Sequence, residues 1–498
     1  MIDRRKFVGA AGVGFAGLLS GCTVRNPFKS DPPPVLPQGP IAVDGWTVLN
    51  KRPALDVEVS PLIDDIQKLA FRYFWEVTDE NTGMAPDRWP TPSFVSVAAV
   101  GFALTAYPIG ESHGWITRAQ ARERTLRTLQ FLAAAPMGDG RSGVSGYRGF
   151  FYHFLGSTKG YRFSLSELST VDTALLMAGA LFAQSWFDDP MHPEEARIRD
   201  LAERLYRAIE WTWITPREPL VSMGWNPESG FIRSDWEIYN EGMILYILGL
   251  GSPTFPLRDD TWNVWSNRFD SSWGNRWGEE HLFFAPMFGH QYSHVWIDFR
   301  GIRDPFMTGK GIDYFENSRR ATYCQRNYAI ENPGGWAGYS GDCWGLTACD
   351  GPGDFKMNLG GRERSFFSYS ARGPNERDDG TLAPTALLGS LPFAPEIIEP
   401  TVQAMYFRYG DRLYDKYGFL DSFNPTITRR PPQPFRHGEL RPGIGWVDKD
   451  YLGIDQGPIV AMIENYRSGL VWNTMKKNPH IRRGLERAGF SGGWLASG

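Results

Sequence analysis

Two neighbouring segments decide the fold: residues 170–186, TVDTALLMAGALFAQSW, and residues 194–214, EEARIRDLAERLYRAIEWTWI. The first segment is mostly apolar, whichever face of a helix is considered. The second segment is amphipathic, with one apolar stripe and charged residues elsewhere. A helix that is apolar all round must be surrounded by protein, whereas an amphipathic helix keeps one face in water. The pair therefore predicts an inner helix followed by an outer helix.

The same alternation recurs along the chain. Amphipathic segments are expected at 60–77, 117–136, 194–214, 313–330 and 395–414. Apolar segments are expected at 94–106, 170–186, 238–250 and 457–474. Three pairs fit before residue 250, and the remaining chain has room for three more. We therefore predict an all-α protein, an (α/α)6 barrel formed by one domain over residues 59–498. The alternative is a two-domain α+β protein whose strands resemble buried helices.

Residues 1–22, MIDRRKFVGAAGVGFAGLLSGC, are typical of an export signal. Arg4 and Arg5 form a twin-arginine pair, and the apolar stretch after them is too short to span a membrane. The final LSGC resembles a bacterial lipoprotein box, which predicts lipidation of Cys22; the alternative is a plain signal with an incidental cysteine. Residues 23–58 are expected to be a Pro-rich tether. The expected location is the periplasm, with a lipid anchor in the outer membrane.

Composition excludes several classes of protein. The 498 residues include 52 Lys and Arg against 56 Asp and Glu, so the chain has no basic surface for nucleic acid. The 19 Trp, 20 Tyr and 32 Phe argue against disorder. Beyond Cys22 the cysteines are Cys324, Cys343 and Cys349, an odd number that cannot all pair. Cys343 and Cys349 are close enough for a small disulfide loop, but free buried thiols are an equal alternative.

No metal or cofactor is expected. The cysteines show no CxxC or Cys/His spacing. His290 and His294 stand four apart, but Gln291 occupies the place of the glutamate in the zinc peptidase motif HExxH. The chain also has no GxSxG motif, which argues against a serine hydrolase.

Acidic residues mark the starts of the predicted inner helices. Glu167 and Asp172 lie at the start of one, Glu241 at the start of the next, and Asp455 just before a Gly-Pro pair suited to a first helical turn. One such acid alone is explained by the helix dipole. Four acids on three converging helices instead indicate a site. Paired carboxyl groups are the apparatus of glycoside hydrolysis, in which one protonates the leaving oxygen and the other activates water or attacks the sugar.

Aromatic side chains in the intervening loops suit a sugar substrate, because the C–H faces of sugars pack on aromatic rings. The aromatic candidates for sugar contact are Trp225, Trp236, Tyr239, Trp296, Trp336, Tyr339 and Trp344, and about half of them are expected to be core packing instead. Either His290 or His294 is a candidate hydrogen-bonding group, with a structural role as the equal alternative.

Eleven motifs in order resemble one known family. They are GFFYHFL (149–155), SELSTVDTALL (166–176), GWNPESGF (224–231), YNEGMILYILGLGSP (239–253), HQYSHVWIDFRG (290–301), DYFENSRRAT (313–322), WGLTACDGP (344–352), DDGTLAPTA (378–386), SLPFAPE (390–396), YGFLDSFN (417–424) and DQGPIVAMIENYR (455–467). The chain resembles the bacterial glucoamylase-like proteins, which include glycoside hydrolase family 144, the endo-β-1,2-glucanases.

The resemblance implies an (α/α)6 barrel that hydrolyses β-1,2-glucan by an inverting, metal-free mechanism. It implies that Glu241 is the proton donor and that Asp455 serves the water-activating side. In related barrels that side acts through a substrate hydroxyl and a water chain. The residues that the resemblance assigns to substrate positioning are Glu167, Asp172, Asp298, Arg319 and Asp350.

Three hypotheses follow. The first is a lipid-anchored glycosidase that cleaves β-1,2-glucan or its oligosaccharides. The second is an exo-acting β-1,2-glucooligosaccharide hydrolase, or a transglycosylase, on the same barrel. The third is a lipoprotein that binds glucan without cleaving it. The linkage rests on the resemblance alone, so another polysaccharide such as an α-glucan stays an alternative.

Overall fold

The computed structural model describes residues 58–497 and is rich in helix. The predicted signal at 1–22, with its lipidated Cys22, lies outside the described residues, as does the predicted tether except for its last residue. Over the described range, no helix is long and apolar enough to cross a membrane.

Fifteen α-helices are described, together with 3₁₀ turns at Phe269–Ser272 and Gly493–Ser497. The α-helices are α1 (Pro61–Val77), α2 (Val97–Ser112), α3 (Arg118–Ala133), α4 (Thr170–Trp186), α5 (Pro193–Arg207), α6 (Met243–Gly251), α7 (Thr261–Ser266), α8 (Phe288–Trp296), α9 (Pro305–Lys310), α10 (Tyr314–Glu331), α11 (Pro384–Leu388), α12 (Pro395–Leu413), α13 (Gly453–Arg467), α14 (Leu470–Met475) and α15 (Pro479–Arg487).

The strands are short and their ladders are antiparallel. They are β1 (Arg88–Trp89), β2 (Val95–Ser96), β3 (Gly146–Tyr147), β4 (Phe150–Phe151), β5 (Phe154–Leu155), β6 (Leu168–Ser169), β7 (Gly224–Asn226), β8 (Gly230–Phe231), β9 (Trp273–Arg276), β10 (Glu279–Leu282), β11 (Ala348–Cys349), β12 (Phe355–Leu359), β13 (Arg362–Phe366), β14 (Ser370–Ala371), β15 (Tyr414–Asp415), β16 (Gly418–Phe419), β17 (Phe423–Asn424), β18 (Glu439–Arg441), β19 (Gly445–Val447) and β20 (Tyr451–Leu452).

Three of these strands lead directly into helices. β2 ends where α2 begins, β6 ends where α4 begins, and β20 ends where α13 begins. Their ladder partners are β5, β7 and β1. A bridge between Tyr152 and Leu168 and another between Pro86 and Val95 connect these ladders. The amino ends of the three helices therefore lie at the same end of the molecule.

Besides the short α14, six helices are buried over most or all of their length: α2, α4, α6, α8, α11 and α13. α2 packs against α4 and α13, α6 packs against α4 and α8, and α13 packs against α8 and α11. The side-chain amide of Gln291 on α8 donates to the carbonyl of Ala386 (2.9 Å) and to the hydroxyl of Ser390 (2.7 Å), at α11 and the turn that follows it. Each buried helix thus has other buried helices beside it.

Amphipathic helices cover the buried ones. α1 lies on α2 and α13, α3 on α2, α5 on α4, α10 on α8, α12 on α11, and α15 on α6. The predicted starts of α1 and α3 are confirmed by their caps. The Ser60 hydroxyl accepts from the amide of Ile63 (3.4 Å), and Thr117 and Gln120 form a capping box with bonds of 3.2 and 2.8 Å.

Four predicted segments have wrong boundaries, and the first of them, 94–106, corresponds to α2 over Val97–Ser112. The segment 194–214 leaves the helix after Arg207, and the segment 238–250 becomes helical only at Met243. The segment 457–474 is two helices, α13 and α14, which meet at Gly469 in the left-handed region (φ 65°). Pro458 lies inside α13 rather than at its start, and Asp455 is therefore already in the first turn of the helix.

Close packing explains the Gly-Pro pair in α13. A Cβ atom on Gly457 would lie 2.1 Å from the Phe102 ring of α2, so only glycine admits that ring. α8 was not predicted because it carries polar residues that are nonetheless buried. α11 was not predicted because it is only five residues long. Cys324, Cys343 and Cys349 are free buried thiols, so the disulfide alternative is not realised.

Replacement of Gly101 by Ala tests the close contact between α2 and α4. A Cβ atom there would lie 2.3 Å from the Leu175 carbonyl oxygen, on the backbone of α4. Because the backbone of α4 cannot yield easily, we expect Gly101→Ala to lower the free energy of unfolding by about 2–3 kcal/mol in urea denaturation. Gly309→Ala is the matched control, since its Cβ meets open space, and it should be neutral or stabilise by about 0.5 kcal/mol. Equal stabilities of the two variants would contradict the contact.

Candidate active site

A cavity of about 360 Å³ opens where buried helices begin. Asp172 reaches it from the first turn of α4, and Glu241 from two residues before α6. Phe288 and Tyr292 of α8 and Ile454 of α13 complete this part of the wall. The structure therefore brings two of the predicted acids, Asp172 and Glu241, to one cavity.

The remainder of the wall is largely aromatic, with a polar rim. The aromatic side chains on the cavity are Trp236, Phe284, Phe288, Tyr292 and Tyr369. Arg233, Glu237 and Ile238 are exposed at the rim. An apolar, concave wall with a few convergent polar groups is typical of a small-molecule site. Aromatic faces with nearby carboxyl groups suit a sugar in particular.

Glu241 is buried, and α8 fixes its backbone. Its carbonyl accepts from the Ser293 hydroxyl (3.2 Å), and the same hydroxyl oxygen accepts from the amide of Ile244 (3.0 Å). One residue earlier, the side-chain oxygen of Asn240 accepts from the amide of Gly242 (2.8 Å). These bonds substitute for a conventional cap at the start of α6. They hold the Glu241 carboxyl in a defined place on the cavity wall.

His153 links the two acids of the SELSTVD motif. Its Nδ1 lies 2.8 Å from the Glu167 carboxylate, and its Nε2 lies 3.6 Å from that of Asp172. The Ser169 hydroxyl also donates to Asp172. His153 and Asp172 line the cavity, whereas Glu167 lies behind the imidazole. Sequence reasoning missed His153, although it lies within the GFFYHFL motif.

Asp455 is buried beside Ile454 of the cavity wall. Its backbone carbonyl accepts from the Thr385 hydroxyl (2.9 Å), and its carboxyl group is close enough to that of Asp421 to influence the pKa of Asp421. Burial and the nearby charge of Asp350 raise the pKa of Asp421 to about 7. Asp455 thus lies between the cavity wall and a group of buried acids.

Arg88 is the basic member of that group, and sequence reasoning missed it. Its guanidinium bonds to both carboxylate oxygens of Asp350 and, through Nε, to Asp87 (3.2 Å). Burial alone would lower the pKa of Arg88, but Asp350 and Asp87 raise it above its usual value. Asp350, predicted to position substrate, is fully buried and bonded to protein here.

Tyr239, His290 and His294 lie between helices rather than on the cavity. The Tyr239 hydroxyl donates to Nδ1 of His290 (3.1 Å), and Nε2 of His290 donates to the Phe284 carbonyl (3.0 Å). Nε2 of His294 lies 3.1 Å from the Ser318 hydroxyl. Burial lowers the pKa of His294 to about 3 and that of His290 well below its usual value. Both imidazoles are therefore neutral, and their bonds to protein correspond to a structural role.

Trp225 and Trp344 are also away from the cavity wall. The Trp225 ring packs on Tyr147, with centroids 5.3 Å apart, and the Trp344 indole N–H donates to the Thr401 hydroxyl (3.2 Å). Within residues 58–497, neither tryptophan contributes to the lining. Their position next to Gly, Pro and Asn residues marks loops, but it does not reveal which way a ring faces.

Asp298 and Arg319 belong to other parts of the fold. Asp298 lies two residues beyond the end of α8 and pairs with Lys476 (2.7 Å). The last residue of α8, Trp296, is about 12 Å along the helix from the cavity residue Phe288. Arg319 lies on α10 and pairs with Glu396 of α12 (2.7 Å). Both therefore join structural elements outside the cavity.

Comparison with known proteins shows that the chain belongs to the glucoamylase-like family. Residues 233–479 match a family model described as "Putative glucoamylase". A structure described as a "putative glucoamylase" from Bacteroides uniformis ATCC 8492 is 32% identical, with a TM-score of 0.75, and the match covers 88% of this chain and 100% of that one.

Two further relatives have more specific descriptions. An endo-β-1,2-glucanase from Chitinophaga pinensis, in complex with sophorotriose and glucose, is 26% identical with a TM-score of 0.72 and matches over 88% of this chain and 100% of its own. An exo β-1,2-glucooligosaccharide sophorohydrolase (non-reducing end) from Parabacteroides distasonis is 28% identical over 454 residues, or 86% of this chain. The match spans 57% of the length of that relative.

Tyr239→Phe separates a structural role from sugar contact. Loss of the hydroxyl leaves Nδ1 of His290 without its donor, so we expect the free energy of unfolding to fall by about 1–2 kcal/mol. The affinity for oligosaccharides, measured by titration calorimetry, should not change. Tyr406→Phe, at a partly exposed ring of α12, is the matched control and should leave both quantities unaltered. Weakened sugar binding with unchanged stability would show that Tyr239 contacts the sugar.

Proposed function

Because the chain belongs to the glucoamylase-like family, we propose that it is a glycoside hydrolase that cleaves β-1,2-glucan or its oligosaccharides. The observation that carries the proposal is the cavity, in which the buried acids Glu241 and Asp172 face aromatic side chains. The two relatives that act on β-1,2-linked substrates support the linkage.

In the proposed reaction, Glu241 is the general acid. Its carboxyl group protonates the glycosidic oxygen as the bond to the anomeric carbon breaks, and Asp455 serves the opposite, water-activating side. Asp455 follows the lining residue Ile454 but is not itself on the cavity wall, so the proton of the attacking water leaves through a substrate hydroxyl and intervening water. Attack by water on the face opposite the leaving group inverts the anomeric centre.

His153 and Asp172 form the proposed polar contact surface for the sugar. Asp172 accepts from sugar hydroxyls, and the His153 imidazole, fixed by Glu167, keeps the Asp172 carboxyl oriented. Trp236 and Tyr369 offer ring faces to the sugar C–H groups.

The helices form the framework of this proposal. We propose that the six buried helices and their amphipathic partners constitute an (α/α)6 barrel. The contacts between successive buried helices and the cover of each by an outer helix support this arrangement. The domain over residues 59–498 would then be one catalytic unit.

Exo action is the second candidate. The cavity of about 360 Å³ is near the lower end of the usual range of ligand pockets, about 300–1,000 Å³, which favours a short terminal segment over the middle of a polymer. The Parabacteroides distasonis relative carries the description of an exo-acting enzyme.

We also propose export and lipidation. The twin arginines and the LSGC box support a lipid anchor at Cys22 that holds the domain in the periplasm at the outer membrane. Cys22→Ser should abolish labelled palmitate incorporation and shift the protein from the membrane to the soluble fraction. Paired Arg4→Lys and Arg5→Lys should block export instead, and the protein should remain in the cytoplasm. An anchor that survives Cys22→Ser contradicts the assignment.

A reducing-end assay on a glucan panel tests the activity. The panel contains linear and cyclic β-1,2-glucan, laminarin, cellulose oligomers and starch, and product lengths are resolved. Cleavage confined to β-1,2-glucan is expected. Mid-length fragments and cleavage of the cyclic substrate indicate endo action, whereas a disaccharide from linear glucan alone indicates exo action. Binding without new reducing ends would favour the non-catalytic lipoprotein and overturn the proposal.

Glu241→Gln tests the general acid in the same assay. The amide keeps the size of the side chain but cannot supply the proton, so kcat on the cleaved glucan should fall by about 10²–10⁴-fold. Glu123→Gln, on the exposed face of α3, is the matched control and should keep the wild-type rate. A Glu241→Gln rate within tenfold of wild type would remove Glu241 from the reaction.

A further inference from the structure

Four buried aspartates converge from separate segments near the start of α13. Asp350 follows β11, Asp421 lies between β16 and β17, and Asp448 and Asp450 lie between β19 and β20. Their exposed fractions are 0, 4, 0 and 0%. Carboxyl groups are rarely this buried without a compensating partner.

Three of the acids are arranged around a common point. One carboxylate oxygen from each of Asp350, Asp421 and Asp448 lies within 4.8 Å of the others. The backbone places two of them: Asp421 accepts from the amide of Asp350 (2.8 Å), and Asp448 accepts from the amide of Lys449 (2.7 Å). The group is therefore built by its own loops.

The second observation is an oxygen with no partner. Oδ2 of Asp448 is buried and has no hydrogen bond to any residue in the described range. Oδ2 of Asp450 likewise has no hydrogen bond within residues 58–497, and Nη1 of Arg88 lies 3.7 Å from it. A buried carboxylate oxygen without a donor is costly, because nothing replaces the water it has lost.

The protein compensates only part of this charge. The Arg88 guanidinium bonds to Asp350, and the His437 Nδ1 lies 3.9 Å from Asp450 and 4.0 Å from Asp350. The group of four carboxyls thus bonds directly to one guanidinium. A second positive charge would compensate the negative charge that remains.

We propose that Asp350, Asp421 and Asp448 bind a calcium ion. Ca²⁺ prefers six to eight oxygen ligands at about 2.3–2.6 Å, so two oxygens on one ion lie at most about 4.6–5.2 Å apart. The three carboxylate oxygens here all lie within 4.8 Å of one another, close enough to share one ion. Three carboxylates in a dry site suit Ca²⁺ better than Mg²⁺, which keeps several waters. Asp350 is then a cation ligand rather than a contact for the sugar. The proposal does not depend on the glycosidase activity.

Calcium titration of the full chain, stripped with EDTA, tests the site. Calorimetry should detect one Ca²⁺ per chain with a Kd below about 100 µM. Thermal unfolding should occur about 2–5 °C higher in about 1 mM Ca²⁺ than in EDTA, because the ion binds only the folded state. Mg²⁺ at the same concentration should shift the midpoint less. No heat and no shift with Ca²⁺ would overturn the proposal.

Asp448→Asn is the decisive variant. It keeps the shape of the side chain and removes one of the mutually repelling charges, so the calcium-free protein should unfold at or above the wild-type temperature. Its calcium affinity should fall at least tenfold and its calcium-dependent shift should disappear. Asp411→Asn, at an exposed acid of α12, is the matched control and should retain both.

Two results would contradict the assignment of ligands. One is a calcium affinity in Asp448→Asn equal to that of the wild type. Asp421→Asn is measured alongside, so that the test still stands if Asp448→Asn does not fold. The other is thermal stabilisation by a β-1,2-linked disaccharide but not by calcium. If Asp448→Asn abolished that stabilisation, the group of aspartates would be a sugar subsite.

Discussion

A helix that is apolar on every side has to be enclosed by protein, and only its ends can meet solvent. α6, α8 and α11 are buried along their whole length. The outer helices cover the sides of the buried ones, so polar chemistry is confined to the ends and the loops that connect them. The cavity lies at one such end, and two of its acids, Asp172 and Glu241, begin a helix or precede one by two residues.

The amino ends of helices also favour carboxylates electrostatically. Backbone N–H groups there are unsatisfied and carry partial positive charge, which stabilises a nearby anion. Asp172 and Asp455 occupy first turns, and Glu241 precedes α6 by two residues. The same strand ladders that bring these helix starts together therefore also bring anions together. Hydrogen bonds from Ser169 and Ser293 then fix individual groups.

Much of the helical framework could be predicted from periodicity, because the apolar stripe of each segment already determines which face is buried when the helices pack. α4 matches its predicted span of 170–186, and α10 and α12 match theirs within one residue. α8 could not be predicted in this way. His290, Gln291 and Ser293 make it look exposed, yet each finds a partner in a neighbouring segment.

The site was only partly predictable from the sequence. A motif near a helix does not by itself reveal at which end of the molecule its side chains lie. Asp172 and Glu241 were found from their place at helix starts, and both line the cavity. Asp298 was selected from a motif, but it follows the carboxyl end of α8 and lies at the other end of that helix. His153 and Arg88 come from earlier loops, and their contacts with later acids depend on chain pairing that no local pattern encodes.

Asp421 connects the proposed cation to the proposed reaction. Its carboxyl group lies near that of Asp455, and it also belongs to the trio with Asp350 and Asp448. Like charges this close in a buried site oppose one another's ionisation. A divalent cation on the trio would offset the charge of Asp421 and so lower the cost of a second ionised carboxylate at Asp455. A cation bound by Asp350, Asp421 and Asp448 would thereby also favour the ionised form of Asp455 on the water-activating side of the cavity.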